Sequence, residues 1–417
     1  MTTKTILVTV DKPTGKAAAA VMQAEYAKSL TRAFRKAAEA LNEGTEITVE
    51  IKVAAGEYDG DLGSGAYELP QFDNVDGRLH ILGGYNSSFT NRDPFHTPSQ
   101  IITIRERSAP IFKFAKNSKL AALVIDGLVI DTGNSNNYDA QTNSLMGHGS
   151  CTHPFFKLMY FETNLLQFSN CVFMNSPHRM MEPLIRAASD AAEIRYDNCI
   201  FLNNIIPIKL DSARFRHKPA RIVVNRCSFL LNWALNPDVN TSNPAALEIG
   251  PADAAHEIQL TNNLFYTNFG GAILALNLKM PPLIVNNNNF VGNGLMHGQP
   301  YTDAVAMIVA AGGRKQPLDV DDIEDVPHVD EAEGNVSIDP GLPLAVGNVQ
   351  TVDADAIQPE ANWQNEVRAI LGLNLDGGRV EINDFAPRQT YNAQRPPFAT
   401  NPAAAAYGAA PLAEPVM

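Results

Sequence analysis

LLQFSNCVFMN from Leu165, EIRYDNCIFLN from Glu193, RIVVNRCSFLLN from Arg221, EIQLTNNLFYTN from Glu257 and PLIVNNNNFVGN from Pro282 are five copies of one phrase. The first three begin 28 residues apart, and the next two follow at 36 and 25. A fainter copy, AALVIDGLVID, begins at Ala121. Aligned on the aromatic, Phe173, Phe201, Phe229, Phe265 and Phe290 share a column, with Val129 in the early copy. Two residues before it stand Cys171, Cys199, Cys227, Asn263 and Asn288. Three before it stand Asp126, Asn170, Asn198, Arg226, Asn262 and Asn287. Self-similarity at this period marks a solenoid, a propeller or an array.

Within each copy apolar and polar residues alternate, as in Ile194-Arg195-Tyr196. A period of two is the signature of strands with one buried face. A third apolar run follows each pair: Pro183–Ile185, Ile208–Leu210, Leu247–Ile249, Ile273–Leu276 and Ala306–Val309. Three short strands per turn without crossover helices predict an all-β parallel β-helix. A propeller blade needs about 40 residues and four strands, which these copies lack. In such a coil rungs stack at about 4.8 Å, so equivalent residues form ladders. Phe173, Phe201, Phe229, Phe265 and Phe290 are expected to stack inside, beside Cys171, Cys199 and Cys227. The asparagine column belongs at a bend, where Asn tolerates left-handed backbone and bonds its neighbours.

These repeats resemble the right-handed parallel β-helix proteins of the pectate-lyase-like superfamily, over roughly residues 45–345. Val53-Ala54-Ala55-Gly56-Glu57-Tyr58 resembles the first-coil phrase of many such proteins, and Gly83-Gly84-Tyr85 through Arg92-Asp93-Pro94 a phrase of bacterial β-helix proteins. Arg92 and Asp93 are expected to tie that loop down by an ion pair. The group mixes polysaccharide lyases, glycoside hydrolases, phage tailspikes and non-enzymatic solenoids. The resemblance therefore implies a fold and leaves the function open.

A formal net charge of −13 argues against nucleic acid as a partner, since phosphate binding needs a basic surface. It also disfavours acidic polysaccharides, except at a local basic groove. With 45% hydrophobic and 18% charged residues the chain is globular rather than disordered. No apolar run approaches the roughly 18 residues of a membrane span. The N-terminus lacks a signal-peptide pattern, so the location is left open between the cytoplasm, leaderless export and a particle. The three repeat-column cysteines read as small buried core residues, and a linear stack is poor geometry for a tetrahedral metal.

The sequence divides into four parts. Residues 1–44 predict a strand and one amphipathic helix over Lys16–Asn42, with Ala27, Leu30, Phe34, Ala37 and Leu41 on one face, covering the open end of the core. Residues 45–345 form the β-helix, with loop insertions near 131–154 and 312–334. Residues 346–386 form a C-terminal cap around Trp363, Val367, Ile370 and Leu371. Residues 387–417 are a Pro/Ala-rich extended tail, expected to mediate self-association. The first insertion is oxygen-rich, and Asp131 and Asp139 are its candidate calcium ligands. Its spacing does not match an EF-hand loop, and no other cofactor is indicated. The second insertion carries eight acidic residues between Asp319 and Glu333 and reads as an exposed loop.

No high-specificity catalytic motif is present. The most ionisable region aligns Arg186, Lys209 and Glu248 in one outward column on successive turns. Asp211, Arg214 and His217 lie just beyond, and His256 one turn later. A lyase needs an Arg or Lys base beside a calcium-bound carboxylate; Lys209 or Arg214 with Asp211 and Glu248 fit that outline. A hydrolase needs two carboxylates about 5–9.5 Å apart, for which Asp211 and Glu248 are the candidates. Arg186, His217 and His256 would then contribute to substrate binding. The same column also suits a solvated sheet face crossed by ion pairs. The leading expectation is a non-enzymatic β-solenoid acting as a structural, self-assembly or surface-binding component. The alternatives are a carbohydrate-active lyase or hydrolase, and a carbohydrate-binding spike of a phage-like particle.

Overall fold

The computed structural model describes residues 2–60, 66–103, 109–133, 137–139, 144–146, 153–176, 181–189, 191–204, 208–210, 220–232, 245–249, 255–268, 271–275, 281–293, 306–311, 314–343 and 391–412. The chain is a parallel β-helix with three walls. The first wall runs from β1 (Thr2–Val8) and β3 (Ile47–Ala54) to Leu283–Asn286 and Val329–Glu331, one parallel strand per rung. The second holds eight strands, from Gly56–Tyr58 to Asn289–Val291. The third comes in two described parts. Tyr67–Leu69, Phe112–Phe114, Phe156–Thr163 and Met181–Ala187 pair in turn. Ile208–Leu210, Leu247–Ile249, Ile273–Ala275 and Met307–Ala311 do the same further along.

Register makes the predicted ladders. Phe173, Phe201, Phe229, Phe265 and Phe290 are paired rung to rung. Their rings stack at 4.7–5.3 Å and all five are fully buried. Cys171, Cys199 and Cys227 are free and buried at the corner before them. The early copy is shifted by one from the sequence alignment. Ile130, not Val129, shares the Phe173 position, and Gly127 rather than Asp126 takes the Asn170 place.

Each rung turns two corners by the same device. Asn170, Asn198, Arg226, Asn262 and Asn287 have φ of 50–57° at the first corner. Asn175, Asn203, Leu231, Thr267 and Gly292 have φ of 51–60° at the second. This is the left-handed region, which Asn and Gly enter at least cost. The next residue points inward and bonds the rung beside it. The Cys227, Asn263 and Asn288 amides donate to the Oδ1 of Asn263, Asn288 and Asn335 at 2.9–3.0 Å. The amides of Ser176, Asn204, Asn232 and Asn268 likewise donate to Asn204, Asn232, Asn268 and Asn293 at 2.9–3.2 Å.

The N-terminal end differs from the single helix expected over Lys16–Asn42. It contains α1 (Lys12–Val21), β2 (Glu25–Ala27) and α2 (Leu30–Glu43). Gln23 at φ 52° ends the first helical stretch, and Glu25–Ala27 pairs with β1 instead. Helix α2 is the cap. Its N-cap Ser29 accepts from Arg32, and Phe34 meets Tyr67 and Phe112 edge-on at 6.0 and 6.1 Å inside the core.

The acidic insertion is not a loose loop. Val329–Glu331 adds a strand beside Leu283–Asn286, and Leu318, Ile323 and Val326 are buried in the main core. The predicted cap at 346–386 lies outside the described residues. From Val172–Met174 to Asn289–Val291 the strands of the second wall are buried on both faces, not one. Inward Phe residues belong to the main core, while Val172, Ile200, Leu230 and Leu264 form an outer layer under Tyr391, Phe398, Tyr407 and Ala409. Residues 391–412, expected to reach a neighbouring copy, thus lie on their own solenoid. Among the described residues no helix is long and apolar enough to cross a membrane.

Candidate functional site

The third wall places part of the predicted column. Lys209 stands opposite Glu248 on the adjacent rung, and the column continues through Leu274 to Ile308. Leu247, Ile249, Ile273 and Ala275 point into the core, so Glu248 points outward by the alternation of the strand. Glu248 is nevertheless only 6% exposed, and Leu274 and Ile308 behind it are buried. The wall is covered here rather than bare, which departs from the exposed charged face expected.

Among the described residues, no strand pairing joins Arg186 or His256 to this column. Arg186 is registered against Glu162, on the strand pair Phe156–Thr163 and Met181–Ala187. His256 lies on the first wall, at the register shift where Ala220 meets Ala255 and Arg221 meets Glu257. Such an irregularity inserts a residue and re-aims its neighbours. Asp211, Arg214 and His217 lie outside the described residues. Of the calcium candidates, Asp131 Oδ1 accepts from the Gly133 amide and from Asn175 Nδ2, both at 2.7 Å. Asp139 lies on the short strand Asn137–Asp139, paired with Ser144–Met146. Among the described residues no group of three His, Cys, Asp or Glu side chains stands close enough to hold a metal ion.

Two charged groupings on the first wall were not singled out in the sequence. Glu193, Arg221 and Glu257 occupy one position on three rungs, with Arg221 3.5 Å from Glu193 and 2.9 Å from Glu257. The signal was available, because each begins a repeat copy. The second grouping gathers Glu50, Lys52, His80, Tyr85, Arg92 and Asp126 over the first rungs. Lys52 and Arg92 lie 5.6 and 5.8 Å from the Tyr85 ring. Arg92 pairs with Asp126 and donates to the Gly83 carbonyl at 2.9 Å. The expected Arg92–Asp93 pair is therefore replaced, and Asp93 takes His96 at 2.9 Å. Asp126 also accepts from Asn170 at 2.9 Å. Burial holds the His80 imidazole below its ordinary range and pushes the Tyr85 phenol up. Burial likewise raises the Cys171 and Cys199 thiols, so neither is a ready nucleophile.

A cleft of about 180 Å³ opens at the carboxyl ends of β1 and β2, lined by Thr9, Lys28, Ser29, Thr31, Glu57 and Asp59. Ligand pockets for small molecules usually measure about 300–1,000 Å³, and this cleft falls below that range. The walls chiefly bind rung to rung. They define the class of protein, a three-walled parallel β-helix. No family model, curated protein or solved structure matches the chain.

Proposed function

We propose that this chain is a non-enzymatic β-solenoid that serves as a structural, self-assembling or surface-binding component. The observation that carries this reading is the use made of its polar side chains. Corner asparagines bond neighbouring rungs, Asp126 and Asp131 fasten corners, and Glu193, Arg221 and Glu257 pair along the wall. Side chains committed in this way stiffen a rod and are poorly placed to move protons. The kinship with the pectate-lyase-like superfamily belongs to the same proposal, supported by the stacked parallel strands.

A second reading is a polysaccharide lyase or glycoside hydrolase, favoured by the juxtaposition of Lys209 and Glu248 on adjacent rungs. Asp211 and Arg214 would complete its acid–base set, with calcium as the added ion for a lyase. The separating experiment incubates the full chain with neutral and acidic polysaccharides, with and without calcium, and follows unsaturated and reducing ends. The scaffold reading predicts no new ends. Ends that appear with the wild type and vanish with folded Lys209→Ala and Asp211→Asn variants would overturn it.

A further inference from the structure

The outer face of the second wall holds the C-terminal segment by its main chain. Three successive residues of the C-terminal segment are bonded by three successive rungs. The Gly408 amide donates to the Asn262 carbonyl at 2.7 Å, and the Ala409 amide to Ser228 Oγ at 2.8 Å. Asn198 grips Ala410 twice, with Oδ1 accepting from its amide at 2.7 Å and Nδ2 donating to its carbonyl at 2.9 Å. Gly408 has φ +77°, and a Cβ there would stand 2.5 Å from Ser228 Oγ and 2.8 Å from Leu264 Cβ. Only glycine passes that filter. On either side Tyr407 and Ala409 lie against the apolar outer layer of the wall. Main-chain bonds that supply affinity, with steric pockets that supply specificity, are the elements of a peptide-docking site.

We infer that Asn198, Ser228 and Asn262 form such a docking site, and that it accepts the Tyr407–Ala410 segment of a second copy as well as its own. The recognising contacts all fall on the segment itself, so they are the same whichever chain supplies it. Residues 344–390 separate it from the last described part of the solenoid. A chain of that length has a contour limit of roughly 150 Å, against about 4.8 Å between rungs. That upper bound on reach extends to a neighbouring copy. Exchange of an identical element between copies is then a low-cost route to association. The exchange rests on the reading of the chain as a self-assembling solenoid and supplies its contact.

The test mixes two full-length variants. Asn198→Gly with Ser228→Val breaks the docking site and keeps the segment; Gly408→Val keeps the site and breaks the segment. Light scattering should find each alone at the mass of one chain and the mixture at twice that mass. A mixture that stays at one chain mass, with both partners melting cooperatively, overturns the exchange. Should Gly408→Val fail to fold, labelled peptides of residues 399–412 are titrated into an Ala410→Pro chain, whose own segment lacks the amide that Asn198 accepts from. The wild-type peptide should bind saturably and its Gly408→Val version at least tenfold more weakly; equal binding of both, or binding of neither, overturns the site. A wild-type chain that assembles while the variants do not pair removes the exchange and leaves the scaffold reading standing. Variants that pair while the wild type never assembles do the reverse.

Discussion

Phe229 and Phe265 stack at 4.7 Å with their ring planes 6° apart, although 36 residues separate them in the chain. Parallel in-register pairing of Ser228–Leu230 with Leu264–Tyr266 produces that contact, whatever the length of the loop between. Phe229 has Phe201 at 4.7 Å on its other side. Phe229→Ala should therefore cost about 3–5 kcal/mol, read as a lower denaturant midpoint. Phe290, which among the described residues stacks on one ring, should cost less when truncated. Equal losses at the two positions would contradict the ladder.

Asn268 is fully buried, and its side chain makes four hydrogen bonds. Its Oδ1 accepts from the Asn232 amide and from Asn232 Nδ2, while its Nδ2 donates to the Phe229 carbonyl and to Asn293 Oδ1. Asn268→Leu keeps the volume and orphans those groups, each at about 1–3 kcal/mol. The prediction is a loss of at least about 3 kcal/mol in equilibrium unfolding. A near-neutral change would mean that the ladder contributes little.

Arg92 joins three pieces of chain, its own loop, the Gly83 carbonyl and Asp126. Lysine cannot reproduce a fork that serves two acceptors. Arg92→Lys and Arg92→Ala should therefore lower the thermal midpoint by similar amounts, corresponding to about 1.5–3 kcal/mol. Full rescue by lysine would show that charge alone matters there.

His80 gives the first rungs a pH dependence. Burial, with Arg78 adding to it and Glu50 and Asp126 opposing, keeps its folded pKa below 6.5. The unfolded chain then takes up a proton before the folded one, so stability falls as pH drops below 6.5 towards the folded value. His80→Gln should flatten the acid side of a stability–pH curve and leave pH 8 unchanged. A curve that keeps its slope would assign the dependence elsewhere. Glu25 works in the same direction at lower pH, since Lys36 and then Lys4 hold its carboxyl below 4.5 and their support is lost on protonation.

Much of the fold was legible because a solenoid writes its register into the sequence. The Phe, Cys and Asn columns each mark one face or corner, and the left-handed φ values fall on the predicted asparagines. The faint copy slipped by one, since Val129 and Ile130 are equally apolar and only pairing with Phe173 separates them. Helix periodicity ran through Gln23–Ser29 because local spacing does not register a free strand edge, and β1 offered one to Glu25–Ala27. In the acidic insertion, charge masked the buried Leu318, Ile323 and Val326. The candidate site was least legible. Outward position follows from alternation, but cover does not, and neither Glu248 nor the outer apolar layer of the second wall carries a local signal for what lies over it.

The most direct test of the scaffold reading is the mass and shape of the full-length protein, by light scattering followed by electron microscopy across a concentration series. Ordered assemblies are expected, a filament, sheet or ring built from 45.2 kDa chains. A monodisperse 45.2 kDa particle at every concentration would contradict the scaffold reading.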